Sequence, residues 1–271
     1  MKIYDCFMYF DEDLVLEIRL NTLNKIVDKF VICEATRDHG GNKKSLKFQI
    51  EKFQNFKDKI EHIIVEDIPI NVRKRKRDWH ENHIRDQYQR NAIIRGLKNC
   101  DPKDWIMISD IDEIPDPKRI AEFDTRKKYA CFLQKNFQSK INLLNVTNNY
   151  WPGTKICQKK DLKSPQWLRN IKTKKRPFWK ILSNKEPQLI QDSGWHFSFL
   201  KKPESIIKKI KSYAHQEFNK SEFTNLDNIK KKILKGQDLF NRNIKYKIID
   251  VDETFPEYIF KNKTKFKDWI A

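Results

Sequence analysis

The sequence predicts an α/β protein: a mostly parallel sheet flanked by helices, followed by a helical C-terminal extension. Three observations predict it. Short apolar runs recur at residues 3–8, 30–33, 63–65 and 105–108. Helical patterns separate the first run from the second and the third from the fourth. Runs of this length read as buried strands, and strands alternating with helices read as βαβ units in a doubly wound sheet.

Taken in order, residues 3–8 form the first strand candidate. Asp11 or Asp13 can then cap a helix carrying Leu16, Leu20 and Leu23 at i, i+4 and i+7. Phe30-Val31-Ile32-Cys33 is the second strand and Ile63-Ile64-Val65 the third. A polar, basic loop from Asp67 to Asp78, interrupted by Pro69, leads into a helix over about His80 to Leu97. Trp105-Ile106-Met107-Ile108 is the fourth strand. After Pro117 the pattern changes to shorter strands, 129–133 and 142–146, between loops rich in Trp and Pro. From Pro203 a Lys-rich helical pattern runs to about Lys235, and the tail ends in Phe266 and Trp269. The expected division is a main domain over 1–202 and an extension over 203–271 packed on it.

The chain has 271 residues, enough for one large α/β domain, and 38% hydrophobic with 12% aromatic residues supply its core. Lys and Arg number 56 against 37 Asp and Glu, a net charge of +19. That balance favours polyanionic partners: nucleic acid, anionic membrane surfaces or phosphate-bearing substrates. The alternative is lysine spread over solvated faces, although the run Arg73-Lys74-Arg75-Lys76-Arg77 is denser than that. Five widely spaced cysteines without a CxxC pair indicate neither a zinc site nor a disulfide framework. No signal-peptide pattern and no apolar stretch near 18 residues is present, so a cytoplasmic protein is expected. The charge and the Phe/Trp-bearing tail add an expectation of peripheral contact with the anionic inner face of a membrane.

The strongest chemical signal is Asp110-x-Asp112, directly after the fourth apolar run. Residues two apart in an extended segment point the same way, so both carboxylates can bind one hard cation, Mg²⁺ or Mn²⁺. In open α/β sheets the ligand crevice lies outside the carboxyl ends of the strands. The cation would stabilise a diphosphate leaving group as a Lewis acid. A polar β-turn is the plain alternative, since Asp and Pro are ordinary turn residues.

Several separate stretches carry a resemblance to glycosyltransferase family 17. Leu16-Glu17-Ile18-Arg19-Leu20 resembles the family's first helix and residues 27–34 its second strand. Ser45-Leu46-Lys47-Phe48 resembles the turn that follows, Asp110-Ile111-Asp112-Glu113-Ile114-Pro115 its acidic motif, and Gly194-Trp195-His196-Phe197-Ser198 a later aromatic-histidine motif. The resemblance implies a GT-A-type, Rossmann-like fold, a divalent cation, UDP-N-acetylglucosamine as donor, and inversion at the anomeric carbon. Without a signal anchor or stem, a surface polysaccharide or a lipid-linked glycan is the expected acceptor rather than a glycoprotein.

Further residues are candidates, each with a structural alternative. His196 completes a cation site begun by Asp110 and Asp112, or is a hydrogen-bonded histidine packed between Trp195 and Phe197. Gly194 allows close backbone approach to a ligand. Glu34, closing the second strand, accepts hydrogen bonds from a uridine, or pairs with Arg37. Arg85 and Arg90 are 140° apart on one helix by about 100° per residue, so both cannot face one diphosphate. The family resemblance favours Arg85 as the phosphate ligand, whose fork geometry suits phosphate oxygens, and leaves Arg90 as the structural partner of Asp86 at i−4. An inverting transferase needs a general base: Glu217 is favoured, with Asp192 and Glu113 as rivals. Trp151 is a sugar-stacking platform or a loop anchor. The competing function is a basic, metal-dependent nucleic-acid-binding protein or nuclease, but no nucleic-acid module or phosphate-binding glycine loop is present, and no specific nucleic acid is expected.

Overall fold

The computed structural model describes residues 1–70, 81–173, 186–212 and 220–271. Four strands occupy the first half: β1 (Ile3–Tyr9), β2 (Lys29–Ala35), β3 (Ile60–Val65) and β4 (Trp105–Asp110). They pair in parallel in the order β4-β1-β2-β3. Helix α1 (Asp13–Leu23) links β1 to β2 and buries Leu16, Leu20 and Leu23. The predicted cap is corrected: Glu12 holds the N-cap position without a side-chain cap bond. Its carboxylate instead accepts from the backbone N–H groups of Phe10 and Asp11. The predicted helix over 80–97 is α2 (Glu81–Ala92), tightened into a 3₁₀ turn at Ile93–Leu97.

The second half departs from the prediction. It contains β5 (Glu113–Pro115), β6 (Tyr129–Gln138), β7 (Leu143–Asn145), β8 (Tyr150–Gln158), β9 (Gln188–Ile190), β10 (Gly194–Ser198) and β11 (Tyr246–Ile248). Strand β8 joins β4 antiparallel and also pairs antiparallel with β6. The sheet is therefore mixed rather than mostly parallel. The physical reason lies in the connections: helix-bearing crossovers permit parallel pairing, whereas the short links between β6, β7 and β8 permit only antiparallel pairing. Strand β6 also extends to Gln138, five residues beyond the apolar run that marked it; its later part buries the polar residues Gln134, Asn136 and Gln138, which an apolar-run criterion misses.

Short helices α3 (Pro117–Ile120) and α4 (Pro165–Arg169) carry Pro at their starts and are capped by Asp116 and Ser164. The C-terminal extension contributes α5 (Pro203–Ser212), α6 (Leu226–Leu234) and α7 (Glu257–Lys261). Two large apolar clusters cover the faces of the sheet. A third, with Ile206, Ile210, Phe223, Ile229, Leu239 and Phe240, lies within the extension. Val251, Phe255, Ile259 and Phe266 return to the main core. Among the described residues no helix is long and apolar enough to cross a membrane.

Strand β1 has β2 on one side and β4 on the other, so the chain changes direction between β1 and β4. In open α/β sheets that change of direction splays the loops at the carboxyl ends and leaves a crevice. Residues 10–12 after β1 and 110–112 at the end of β4 meet there.

Candidate functional site

A cavity of about 740 Å³ opens at this crevice, within the range of small-ligand sites. Glu12, Asp110, Asp112 and His196 line it, with Lys209 from α5 and Trp151 from β8.

The acidic turn is held from beneath by Arg19, a fully buried residue of α1. Its Nη1 donates to the carbonyl oxygens of Asp110 (3.3 Å), Ile111 (3.1 Å) and Glu113 (2.7 Å), and its Nη2 to Ser109 Oγ at 2.5 Å. The chain turns at Ile111-Asp112 instead of running extended. Strand alternation therefore does not aim the two carboxylates together; the turn does, and both reach the cavity.

Their surroundings differ. Asp110 accepts from Arg90 Nη2 at 3.1 Å and from Arg169 Nη2 at 2.9 Å. Burial works against its charge, but Arg169 and Arg90 outweigh burial and hold the carboxyl well below the usual carboxylate range. Arg169 also donates to Glu113 Oε1 at 2.5 Å, and Trp151 Nε1 donates to the same oxygen at 2.6 Å. Glu113 closes the loop by accepting from the Asp110 N–H at 3.1 Å. Burial, with the Asp110 and Asp112 carboxylates, pushes Glu113 up despite Arg169. Its carboxylate is committed to shaping the turn.

Asp112 faces the other way. Its Oδ1 lies 3.8 Å from His196 Nε2 and its Oδ2 lies 3.8 Å from Lys209 Nζ. His196 Nδ1 is 3.1 Å from Asn136 Oδ1, and Asn136 Nδ2 donates to Asn148 O. That second bond fixes the Asn136 amide, so its oxygen faces the imidazole and Nδ1 carries a proton. Nε2 faces the Asp112 carboxylate. Trp151 stacks on the imidazole at 4.6 Å between ring centroids, so its ring serves His196 and its Nε1 serves Glu113.

Other expectations fare differently. Glu34 is buried away from the cavity: it accepts from Lys44 Nζ (2.7 Å) and from the N–H groups of Lys47 (2.7 Å) and Phe48 (3.1 Å). It thereby holds the 45–48 turn, and the expected partner Arg37 bonds to Gly41 O instead. Arg85 spends its guanidinium on the carbonyls of Pro69, His39 and Ile70 and on Glu81, so it is a loop clamp. Arg90 pairs with Asp86 as expected but reaches Asp110 as well, so Arg90 rather than Arg85 enters the site. Gly194 has φ +136°, and a Cβ there would stand 2.2 Å from Ile114 O. The close approach it permits is to β5, not to a ligand. Asp192 is paired with the Tyr150 hydroxyl. Glu217 and the basic run 73–77 lie outside the described residues.

Glu12, Arg19, Arg169 and Lys209 carried no sequence signal of their own beyond Arg19, a charged residue on the apolar face of α1. Glu12 lies 3.1 Å from Lys201 Nζ and 3.8 Å from Lys209 Nζ. Burial opposes its charge, but Lys201, Lys209 and two backbone N–H groups bring it down to about 2. Two chains of ion pairs result, Asp11–Lys201–Glu12–Lys209–Asp112 and Asp86–Arg90–Asp110–Arg169–Glu113. Among the described residues they set six carboxylates against four cationic side chains.

A charged crevice where the strand order of an α/β sheet reverses is the position at which open α/β proteins receive polar ligands. The chain belongs to glycosyltransferase family 17, whose family model matches residues 1–267. It is similar to the β-1,4-mannosyl-glycoprotein 4-β-N-acetylglucosaminyltransferases of Rattus norvegicus, at 23% identity over 93% of this chain and 51% of the relative, and of Homo sapiens, at 23% over 93% and 52%. The chain thus spans about half the length of the curated relatives it matches. The inositol-1-phosphate CTP transferase from T. maritima covers 100% of this chain and 98% of its own at a TM-score of 0.33 and 11% identity, too distant a likeness to carry an argument.

Proposed function

We propose that this protein is an inverting glycosyltransferase of GT-A type that moves N-acetylglucosamine from UDP-N-acetylglucosamine to a polysaccharide or lipid-linked glycan. Family membership and the relatives' names support the transferase class. The parallel β4-β1-β2-β3 unit, with its crevice between β1 and β4, supports a nucleotide-binding half. The observation that carries the reading is Asp112 and His196, two metal-ligating side chains facing each other across 3.8 Å in that crevice.

Mn²⁺ or Mg²⁺ fits this pair. The separation is too long for a hydrogen bond. Bonds of about 2.1 Å let two ligands of one cation stand up to about 4.2 Å apart. Among the described residues no group of three or more His, Cys, Asp or Glu is placed to hold a metal ion by itself, so the remaining ligands would come from the donor diphosphate and water, as Mg²⁺ sites at phosphates commonly arrange. When bound, the cation supplies Lewis-acid stabilisation of the departing diphosphate.

The chain's own groups do the rest. Asp110 is immobilised by Arg90 and Arg169, so the turn bearing Asp112 keeps its shape while ligands exchange. His196 is oriented by Asn136 and Trp151. Acceptor attack on the face opposite the diphosphate inverts the anomeric carbon, and a general base, for which Glu217 is the candidate, takes the hydroxyl proton. Contact with anionic membrane remains part of the reading on the strength of the +19 charge; failure to sediment with anionic liposomes would remove it.

The test is donor hydrolysis by purified protein across UDP-sugars, with and without Mn²⁺. Mn²⁺-stimulated hydrolysis of UDP-N-acetylglucosamine, lost in Asp112→Ala, is expected. Absence of binding and turnover with every nucleotide sugar would sink the transferase reading.

A further inference from the structure

We propose that Lys209, delivered from the C-terminal extension, is a binding residue for the diphosphate of the nucleotide ligand. This rests on the nucleotide-sugar reading above.

The argument begins with position. Lys209 Nζ lies 3.8 Å from Glu12 Oε1 and 3.8 Å from Asp112 Oδ2. Glu12 follows β1 and Asp112 follows β4, so the ammonium bridges the two strand ends between which the crevice opens. That is where an open α/β sheet receives the phosphates of a nucleotide. The residue lines the cavity and keeps 22% of its side-chain surface exposed.

The helix explains how the charge is held there. Ile206 and Ile210 of α5 are fully buried against the extension's apolar cluster. Lys209, three residues after Ile206, leaves the flank of that packed face and crosses the Phe199 ring at 5.3 Å. An inward lysine is costly unless paired, and here the Glu12 and Asp112 carboxylates each stand 3.8 Å from its ammonium.

The division of labour around Asp112 follows. One carboxylate oxygen faces His196 and the other faces Lys209. A cation on the first oxygen weakens the pull of Asp112 on Lys209, and the ammonium can then turn to an entering anion. Lysine suits that role, being a point charge with three donors on a flexible stem. Arg90 and Arg169 donate to Asp86, Gln166, Gly153 O, Asp110 and Glu113 and so brace the acidic turn. The extension therefore completes the site instead of merely covering it.

The experiment compares UDP with uridine by titration calorimetry, with and without Mn²⁺, on the full chain. Lys209→Met should weaken UDP binding about tenfold or more, the loss of one charge-assisted contact, and leave uridine affinity unchanged. Lys209→Arg should retain UDP affinity within about threefold. If Lys209→Met does not fold by circular dichroism, Lys209→Gln takes its place against Lys209→Arg. Equal UDP affinity in wild type and the neutral variant overturns the proposal. Failure of the wild type to bind either UDP or uridine overturns the nucleotide-sugar reading itself, and the two failures are thus distinguishable.

Discussion

Arg19 donates Nε to one Asp5 oxygen at 2.7 Å and Nη2 to the other at 2.6 Å, with neither side chain exposed. This bidentate pair joins α1 to β1 at the centre of the protein, and the remaining Arg19 nitrogen carries the acidic turn. Stability and site geometry share one residue.

Removing that residue leaves a buried, uncompensated carboxylate. Arg19→Met should lower unfolding free energy by about 3–5 kcal/mol, read by urea denaturation at neutral pH. Adding Asp5→Leu should recover much of the loss, since replacing both charges by apolar groups is often near neutral. The double variant should still bind UDP and Mn²⁺ poorly, because the carbonyls of 110, 111 and 113 have lost their common donor.

Asp112 and His196 should act as a pair toward the cation. Alanine at either position should weaken Mn²⁺ binding at least about tenfold, followed by electron paramagnetic resonance. The double variant should cost less than the sum of the single losses, as expected of ligands sharing one ion. Additive losses would show that they do not share one.

Acid should expose the Glu12 cluster. Glu12 is lowered from 4.5 to about 2 in the fold. A depressed carboxylate adds stability above its unfolded value and loses it as pH falls through the folded one. The contribution, on the order of 3 kcal/mol, should therefore be present at neutral pH and fade between about pH 4.5 and pH 2. Denaturation of wild type and Glu12→Gln at a series of pH values checks this: the two stabilities should differ at pH 6 and converge toward pH 2. A gap that persists at the acid end would rule out ionisation of Glu12 as its source.

Gly194→Ala should be severe. The added methyl would meet Ile114 O at 2.2 Å, and φ of +136° is strained for any side chain. A loss of about 3 kcal/mol or more is expected from the clash and strain together, measured as a lowered Tm. Because β10 carries His196 and pairs with β5 beside Asp112, the same change should weaken Mn²⁺ binding in whatever protein stays folded.

The chain order of the parallel unit was legible because local rules produce it. Apolar runs mark β1 to β4, Leu16, Leu20 and Leu23 mark α1, and both patterns are read within a few residues of themselves. The antiparallel half was not, because a strand such as β6 pairs on both edges and its direction is set by partners far along the chain. Strand pairing over such separations leaves no local periodicity.

The site divides the same way. Composition and motif, by themselves, determined that Asp110 and Asp112 stand at a strand end in an α/β sheet and that a family-level resemblance runs along the chain. Only the tertiary structure decided what each acid does. Asp110 is bound by arginines from α2 and α4, Asp112 faces His196 from β10 and Lys209 from α5, and Glu34 and Arg85 turn inward to brace loops. The physical reason is that a charge's role depends on which opposite charges and how much water surround it. Arg169 reaches Asp110 from 59 residues away in sequence, and His196 and Lys209 reach Asp112 from farther still, where no spacing rule extends.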